Sequence, residues 1–544
     1  MEKLLLRTIS VLFLLAAALA VPCKAEALSA QSVYQYSVLE GGRRVYLWVP
    51  PQCMQVRGLI VAFENMLELG WLESPIVRAT AADECLGVVW IGEGKDSDLS
   101  ADMGPKAGEA FLAMQRDLAR VSGFKEIAEA PVIATGHSDH GQFAWRFAEW
   151  APQRTIAAIT VKTKGLPSDL DLHGVPLLYI VGQTTEWPQY YDGRLSNRDF
   201  VWSYVRDSAL ALRKQYPEDR VAVVVDPGGG HFDWNDKLSA LMALYIRVAC
   251  AERLPKHWPD AGSTSQPVLR TIPFSRGWLI GSSGILPDKF RPAPVDQYKG
   301  NPSEAYWVFN REVAQAIDKI QGDRRPLKRQ MLSFEQDGRV LPVAVRGFAA
   351  LRFEPSSEAD TFQLDPVFLP KIPALLVGQG EPLGHANEKI HLQAIFGPIE
   401  QLGPYTFRFA LRRDALQDGW IEEEADQTAL YRKAVQPARI PLVTYLNGKP
   451  QQIDFSLIPT QTSSVSRIAL HASSSAGLPV RFYVLSGPAI VVGDHLKVVD
   501  FPKAGANKIA VLVVAYQLGA PASITGRAIQ AAQPVMQEFM ITRS

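Results

Sequence analysis

The sequence predicts a multidomain chain: a mostly parallel β-sheet with helices on both faces, followed by two β-sandwich-like domains. Three observations carry this. Over residues 33–258 short apolar strands alternate with amphipathic helices, the pattern of a parallel sheet covered on both sides. Beyond about residue 260 helical spacing gives way to period-two alternation, with Gly and Pro turns every ten residues or so, which reads as packed antiparallel sheets. The length of 544 residues also exceeds one core, because single cores rarely grow beyond about 250–300 residues.

The chain opens MEKLLLRTISVLFLLAAALAVPCKAEALSA. Lys3 and Arg7 give a basic start, Thr8 to Val21 is a short apolar stretch, and Ala25-Glu26-Ala27 offers a small-residue cleavage site. Residues 1–27 therefore read as a secretory signal peptide, too short to span a bilayer comfortably. Lipid attachment at Cys23 is the rival reading, but Val21-Pro22 does not fit a lipoprotein motif. No later segment is apolar enough for a membrane span, so an exported protein, periplasmic or extracellular, is expected. Lys plus Arg and Asp plus Glu number 56 each. Such a neutral chain has no electrostatic footprint for nucleic acid or an acidic membrane surface. An apolar fraction of 47% and a mean hydropathy of −0.02 exclude a disordered chain.

In the first domain, placed at 28–258, the strands are 57–63 (RGLIVAF), 88–91, 131–135, 156–161, 177–181 and 221–225. Helices are expected at 75–83, 105–121, after 141, at 199–216 and at 236–250. Phe111, Met114, Leu118 and Val121 share one helical face, as do Phe143, Ala144, Phe147 and Ala148. A β-rich middle domain follows at 259–455, with Tyr405, Phe407, Phe409 and Leu411 on one strand face. The last domain is 456–544, where Ile509, Val511, Val513 and Ala515 alternate. Four cysteines are too few for a disulfide scaffold or a Cys-rich metal module. Cys53 and Cys85 each precede a strand, and adjacent strand starts come within bridging range, so a Cys53–Cys85 disulfide is predicted, with two unpaired thiols as the alternative. Cys250 reads as a buried small hydrophobe.

The chemistry lies in the run Gly136-His137-Ser138-Asp139-His140-Gly141, a strand leading through a tight turn into a helix. That context holds a serine hydroxyl at the carboxyl edge of a parallel sheet. Gly136 meets the demand for small flanking residues, whereas His140 departs from it and Gly141 comes one position later. The base expected for Ser138 is His231, presented by Gly228-Gly229-Gly230 after the strand 221–225. His137 and His140 are expected to point away from the hydroxyl. A carboxylate should orient His231 from the loop after 177–181, where Glu186 is the first choice and Asp192 the second, with Asp226 a distant third. Two backbone N–H donors are needed for the oxyanion. Asp139, at the helix start, and Asn65, in the loop after 57–63, are the candidates. Glu64 beside Asn65 would be unhelpful there unless it pointed outward. No metal or other cofactor is expected, since no Cys/His cluster or carboxylate pair has ligand spacing.

These residues resemble the α/β-hydrolase superfamily over roughly 57–250. The resemblance rests on the elbow at Ser138, on Gly230-His231 and on the order of elements. Short connections leave no room for a lid domain, which is closer to secreted esterases of the polyhydroxyalkanoate-depolymerase and feruloyl-esterase type than to lipases. The stretch 473–489 through 517 resembles bacterial Ig-like modules, which implies a stalk or adhesion unit. The expected activity is hydrolysis of a small or polymer-linked carboxylic ester through an acyl-enzyme. A serine peptidase would use the same machinery, and an inactive surface-binding or adhesion protein is the third reading. The β-rich half is expected to be a spacer or to contact polysaccharide or a cell surface. Trp187, Tyr190, Tyr191, Phe232 and Trp234 could stack on a sugar or phenolic group, although core packing is the commoner role of such rings.

Overall fold

Apolar runs in the first half become strands of a single eight-stranded sheet. The computed structural model describes residues 32–544 except 95–96, 184–199, 257, 259, 261–264, 285–287, 323–326, 343–347, 375–377 and 414–417. In chain order the elements are β1 (Tyr36–Glu40), β2 (Arg43–Trp48), β3 (Gly58–Phe63), α1 (Glu68–Leu72), α2 (Pro75–Asp83), β4 (Leu86–Ile91) and α3 (Ala107–Ser122). Then come β5 (Val132–His137), α4 (Gln142–Trp150), β6 (Thr155–Val161), β7 (Leu177–Gly182), α5 (Phe200–Gln215), β8 (Val221–Asp226) and α6 (Asp236–Arg253). The strand order is β1-β2-β4-β3-β5-β6-β7-β8. The β1–β2 and β2–β4 pairings are antiparallel and the rest parallel. Every residue of β3 to β8 is buried, as a sheet with both faces covered requires. Phe111, Met114 and Leu118 of α3 pack with Phe143 and Phe147 of α4 against one face, and α6 covers the other.

Residues 278–321 share the hydrophobic cluster of this sheet, although the sequence groups them with the β-rich region after 258. The helix Arg311–Gln321 lays Val313, Ala314 and Ile317 towards β8, and Gln321 Oε1 accepts the Val225 N–H at 2.8 Å. This covers the edge strand β8, whose unpaired groups would otherwise invite another chain.

Beyond these residues the sheets are small and mostly antiparallel. Strands Thr361–Gln363, Thr406–Phe409 and Ile399–Gln401 form one sheet. They pack across Phe362, Phe407, Phe409, Ile421 and Ile440 against a second sheet that contains Gly419–Ala425 and Ala434–Ile440. A second sandwich-like pair, built on Lys508–Tyr516 and Val535–Thr542, encloses Leu496, Val511, Val513, Phe539 and Ile541. This last part is tied to the first: Trp48 Nε1 donates to Asp500 Oδ2 at 2.9 Å, and Ala506 N–H to Ser122 O at 2.7 Å. Among the described residues no helix is long and apolar enough to cross a membrane.

Cys53 and Cys85 are joined by a disulfide, with Cα atoms 5.7 Å apart, and Cys250 is buried and free. The bridge closes a loop of sequence separation 32, for which chain entropy gives about 3–4 kcal/mol. A Cys53→Ser, Cys85→Ser double variant should lose roughly that much in urea-denaturation stability. A loss below about 1 kcal/mol would show that the denatured chain is already held together there.

Candidate active site

β5 delivers Ser138 at its carboxyl end, and the serine sits at φ 52°. A side-chain-bearing residue adopts this left-handed backbone only when its surroundings impose it. The surroundings are visible in the flanking glycines. A Cβ on Gly136 would lie 2.2 Å from His140 O, and one on Gly141 would lie 2.8 Å from Thr163 Cβ. The small residue that the turn requires is thus Gly141. His140 contributes its carbonyl to the close contact and turns its ring towards Phe63, 6.2 Å between centroids.

His231, on the loop between β8 and α6, places Nε2 3.0 Å from Ser138 Oγ. The residue is 4% exposed. Burial first, and then the Lys162 ammonium, push the imidazolium down to about 3, so the ring is a neutral base at ordinary pH. His137 supports the His231 loop: its Nε2 donates to His231 O at 2.9 Å. A carbonyl can only accept, which fixes the proton of His137 on Nε2. Burial holds His137 well below the usual histidine value.

The two acids preferred by sequence, Glu186 and Asp192, lie outside the described residues. Asp226 is engaged elsewhere. Its Oδ2 is 3.6 Å from Lys162 Nζ, and burial, then the neighbouring Asp233 carboxylate, raise it to about 7. Trp187, Tyr190 and Tyr191 also fall outside the described residues. Phe232 and Trp234 are buried, the latter with its ring tilted against Trp71 at 4.9 Å.

The oxyanion donors divide. Asp139 N–H lies in the 3-10 turn Ser138–Gly141, whose first amides have no intrahelical acceptor. The Asn65 N–H does not stand open as sequence suggests, because it donates to Glu68 Oε2 at 3.0 Å. Met66 N–H donates to the same oxygen at 2.8 Å, and His137 N–H to Glu68 Oε1 at 2.8 Å. Asn65 Nδ2 completes the tie by donating to His137 O at 3.1 Å. Glu68 thus joins the loop after β3 to the residue before Ser138. Sequence reasoning missed it. Its signal was an acid in the first turn of a helix, three residues after Asn65, a spacing suited to reaching back onto backbone amides. Burial raises its carboxyl to about 7. Glu64 is buried too, and its Oε2 accepts Trp90 Nε1–H at 2.5 Å. Burial, and then Glu68, hold the Glu64 carboxyl well above the usual range.

A cleft of about 400 Å³ adjoins this loop, lined by Asn65, Met66 and Glu93 from the first domain and Asp418, Trp420 and Arg439 from the β-rich region. A larger cavity, near 530 Å³ and lined by Pro152, Gly174 and Arg220 among others, lies at the amino ends of β6 to β8, the wrong edge of the sheet for Ser138 chemistry. Asp233, Glu422 and Glu424 bring carboxylate oxygens within 4.8 Å of one another. Lys433 Nζ is 3.3 Å from both Asp233 and Glu424, so the protein's own ammonium already supplies the cation there.

Strand order, strained serine after β5 and histidine after β8 together define the first domain as an α/β-hydrolase fold. No family model matches the sequence, and no curated protein matches it. Solved structures do. The enterobactin esterase from Shigella flexneri aligns at 13% identity and TM-score 0.26, over 37% of this chain and 55% of that one, about half its length. The esterase PE8 aligns at 16% identity and TM-score 0.27, over 39% and 99% of the two chains. The S-formylglutathione hydrolase from Staphylococcus aureus aligns at 13% identity and TM-score 0.25, over 40% and 96%.

Glu68→Gln keeps the side-chain volume but leaves one oxygen where two accept three N–H groups. The unmatched buried amides should lower kcat on a p-nitrophenyl ester by about tenfold or more, with KM nearly unchanged. Unaltered kcat would show that the loop after β3 needs no such tether.

Proposed function

We propose that the protein is an exported serine hydrolase of carboxylic esters. The observation that carries this reading is the 3.0 Å contact between His231 Nε2 and the oxygen of a serine held at φ 52° on a sheet edge. Ser138 Oγ attacks the ester carbonyl while His231 takes its proton, then returns it to the departing alcohol. The Asp139 N–H meets the oxyanion, and a carboxylate among residues 184–199, Glu186 or Asp192, holds the imidazole tautomer. Water attacks the acyl-enzyme with His231 again as base. The 1–27 leader and the Cys53–Cys85 bridge support export, since such bonds persist in oxidising compartments. The two departures from the expected pattern are both accommodated: Gly141 supplies the small residue in place of His140, and the Glu64 carboxyl is engaged by Trp90 Nε1–H.

The test is labelling of the mature chain with a fluorophosphonate, with the adduct located by mass spectrometry. Wild type should carry it on Ser138, and Ser138→Ala should neither label nor hydrolyse esters, a loss of at least about 10³-fold. A folded wild-type chain that does not label contradicts the proposal. The pH profile offers a second check. The free base is neutral wherever pH exceeds its folded pKa, here about 3. Hence kcat/KM measured in Glu68→Gln, which removes a carboxyl raised to about 7, should stay flat from about pH 8 down to about pH 5. An acidic limb centred near the ordinary histidine value of about 6.5 in that variant would contradict the buried environment assigned to His231.

A further inference from the structure

The loop that carries His231 is gripped from the β-rich region as well as from its own domain. Lys433 stands one residue before the strand Ala434–Ile440 and lies against Gly228, where a Cβ would come within 2.7 Å of Lys433 Cβ. Gly228 also has φ +76°, so both its backbone and its neighbour require glycine. Lys433 Nζ lies 3.3 Å from Asp233 Oδ2, two residues after His231. From its own domain Lys162 Nζ, just past β6, donates to the Asp233 backbone carbonyl. Between them Phe232 sets its ring perpendicular to His231 at 4.6 Å and 4.7 Å from Trp420. Asp233 is fully buried. A carboxylate there stays ionised only against a cation brought to it, and the β-rich region brings one.

We propose that the β-rich region is a working half of the catalytic centre, with Lys433 a positioning residue that pairs with Asp233, covers Gly228 and so keeps His231 in reach of Ser138. This goes beyond a spacer or adhesion role and rests on the serine-hydrolase reading of Ser138 and His231. Trp420 serves both parts, since it backs Phe232 and also lines the cleft beside Asn65 and Met66.

The experiment follows the rate of fluorophosphonate labelling at Ser138 in the full mature chain, together with kcat and KM on a p-nitrophenyl ester and thermal unfolding. Lys433→Met should label at least about tenfold more slowly and lose kcat in proportion, with KM within about twofold. Lys433→Arg, which keeps the cation, should recover to within about threefold of wild type. Trp420→Leu leaves the ion pairs in place and should slow labelling by about threefold, so the proposal stays exposed even if Lys433→Met does not fold. Wild-type rates in a folded Lys433→Met or in Trp420→Leu, or failure of Lys433→Arg to recover, would overturn it. A labelled wild type with unaffected variants removes this proposal alone, whereas an unlabelled wild type removes the hydrolase reading with it.

Discussion

Ser138 is held with φ at 52°, a backbone state that costs a residue with a β-carbon of order 1–3 kcal/mol, and much of the surrounding structure is what imposes it. The constraint reaches outward through contacts that leave no slack. Gly136 meets His140 O, Gly141 meets Thr160 and Thr163 at the end of β6, and Glu68 takes the N–H of His137. Each fixes a neighbour of the serine rather than the serine itself. The hydroxyl therefore stands at the carboxyl edge of the sheet, where the β8–α6 loop can bring His231 Nε2 to it.

That arrangement is assembled from buried ionisable groups, which are costly unless each is paired or neutralised. The protein uses both routes. Glu64 and Glu68 are raised by burial, and Glu68 spends its oxygens on three backbone amides. Asp233 takes the other route: its carboxylate pairs with Lys433 from the β-rich region, while Lys162 of the first domain donates to its backbone carbonyl. A neutral, desolvated His231 follows from the same burial. The site is thereby tied to packing well beyond the first domain, through Lys433 and Trp420.

Much of the first domain was legible because parallel strands buried on both faces must be continuous apolar runs, as in β3, β5 and β8. Ser138 and His231 were legible for a related reason: a glycine-flanked turn after a strand leaves few places for a side chain to go. Glu68 was not, because a lone acid near a helix start looks like any capping residue until the amides it collects are known. Lys433 lay beyond reach of sequence, since its partner Asp233 is 200 residues away and nothing local marks the pairing. Residues 278–321 read with the β-rich region by sequence for the same cause: what they pack against is distant, and only the structure shows the helix Arg311–Gln321 carrying its apolar stripe to β8.

The account stands or falls on whether Ser138 becomes acylated during turnover. The direct measurement is rapid acid quench of the mature chain mixed with a p-nitrophenyl ester, followed by peptide mass spectrometry alongside the nitrophenol time course. The account predicts an acyl mass on the peptide containing Ser138 and a nitrophenol burst matching the enzyme concentration. Turnover with no adduct at Ser138, retained in full by Ser138→Ala, would contradict it.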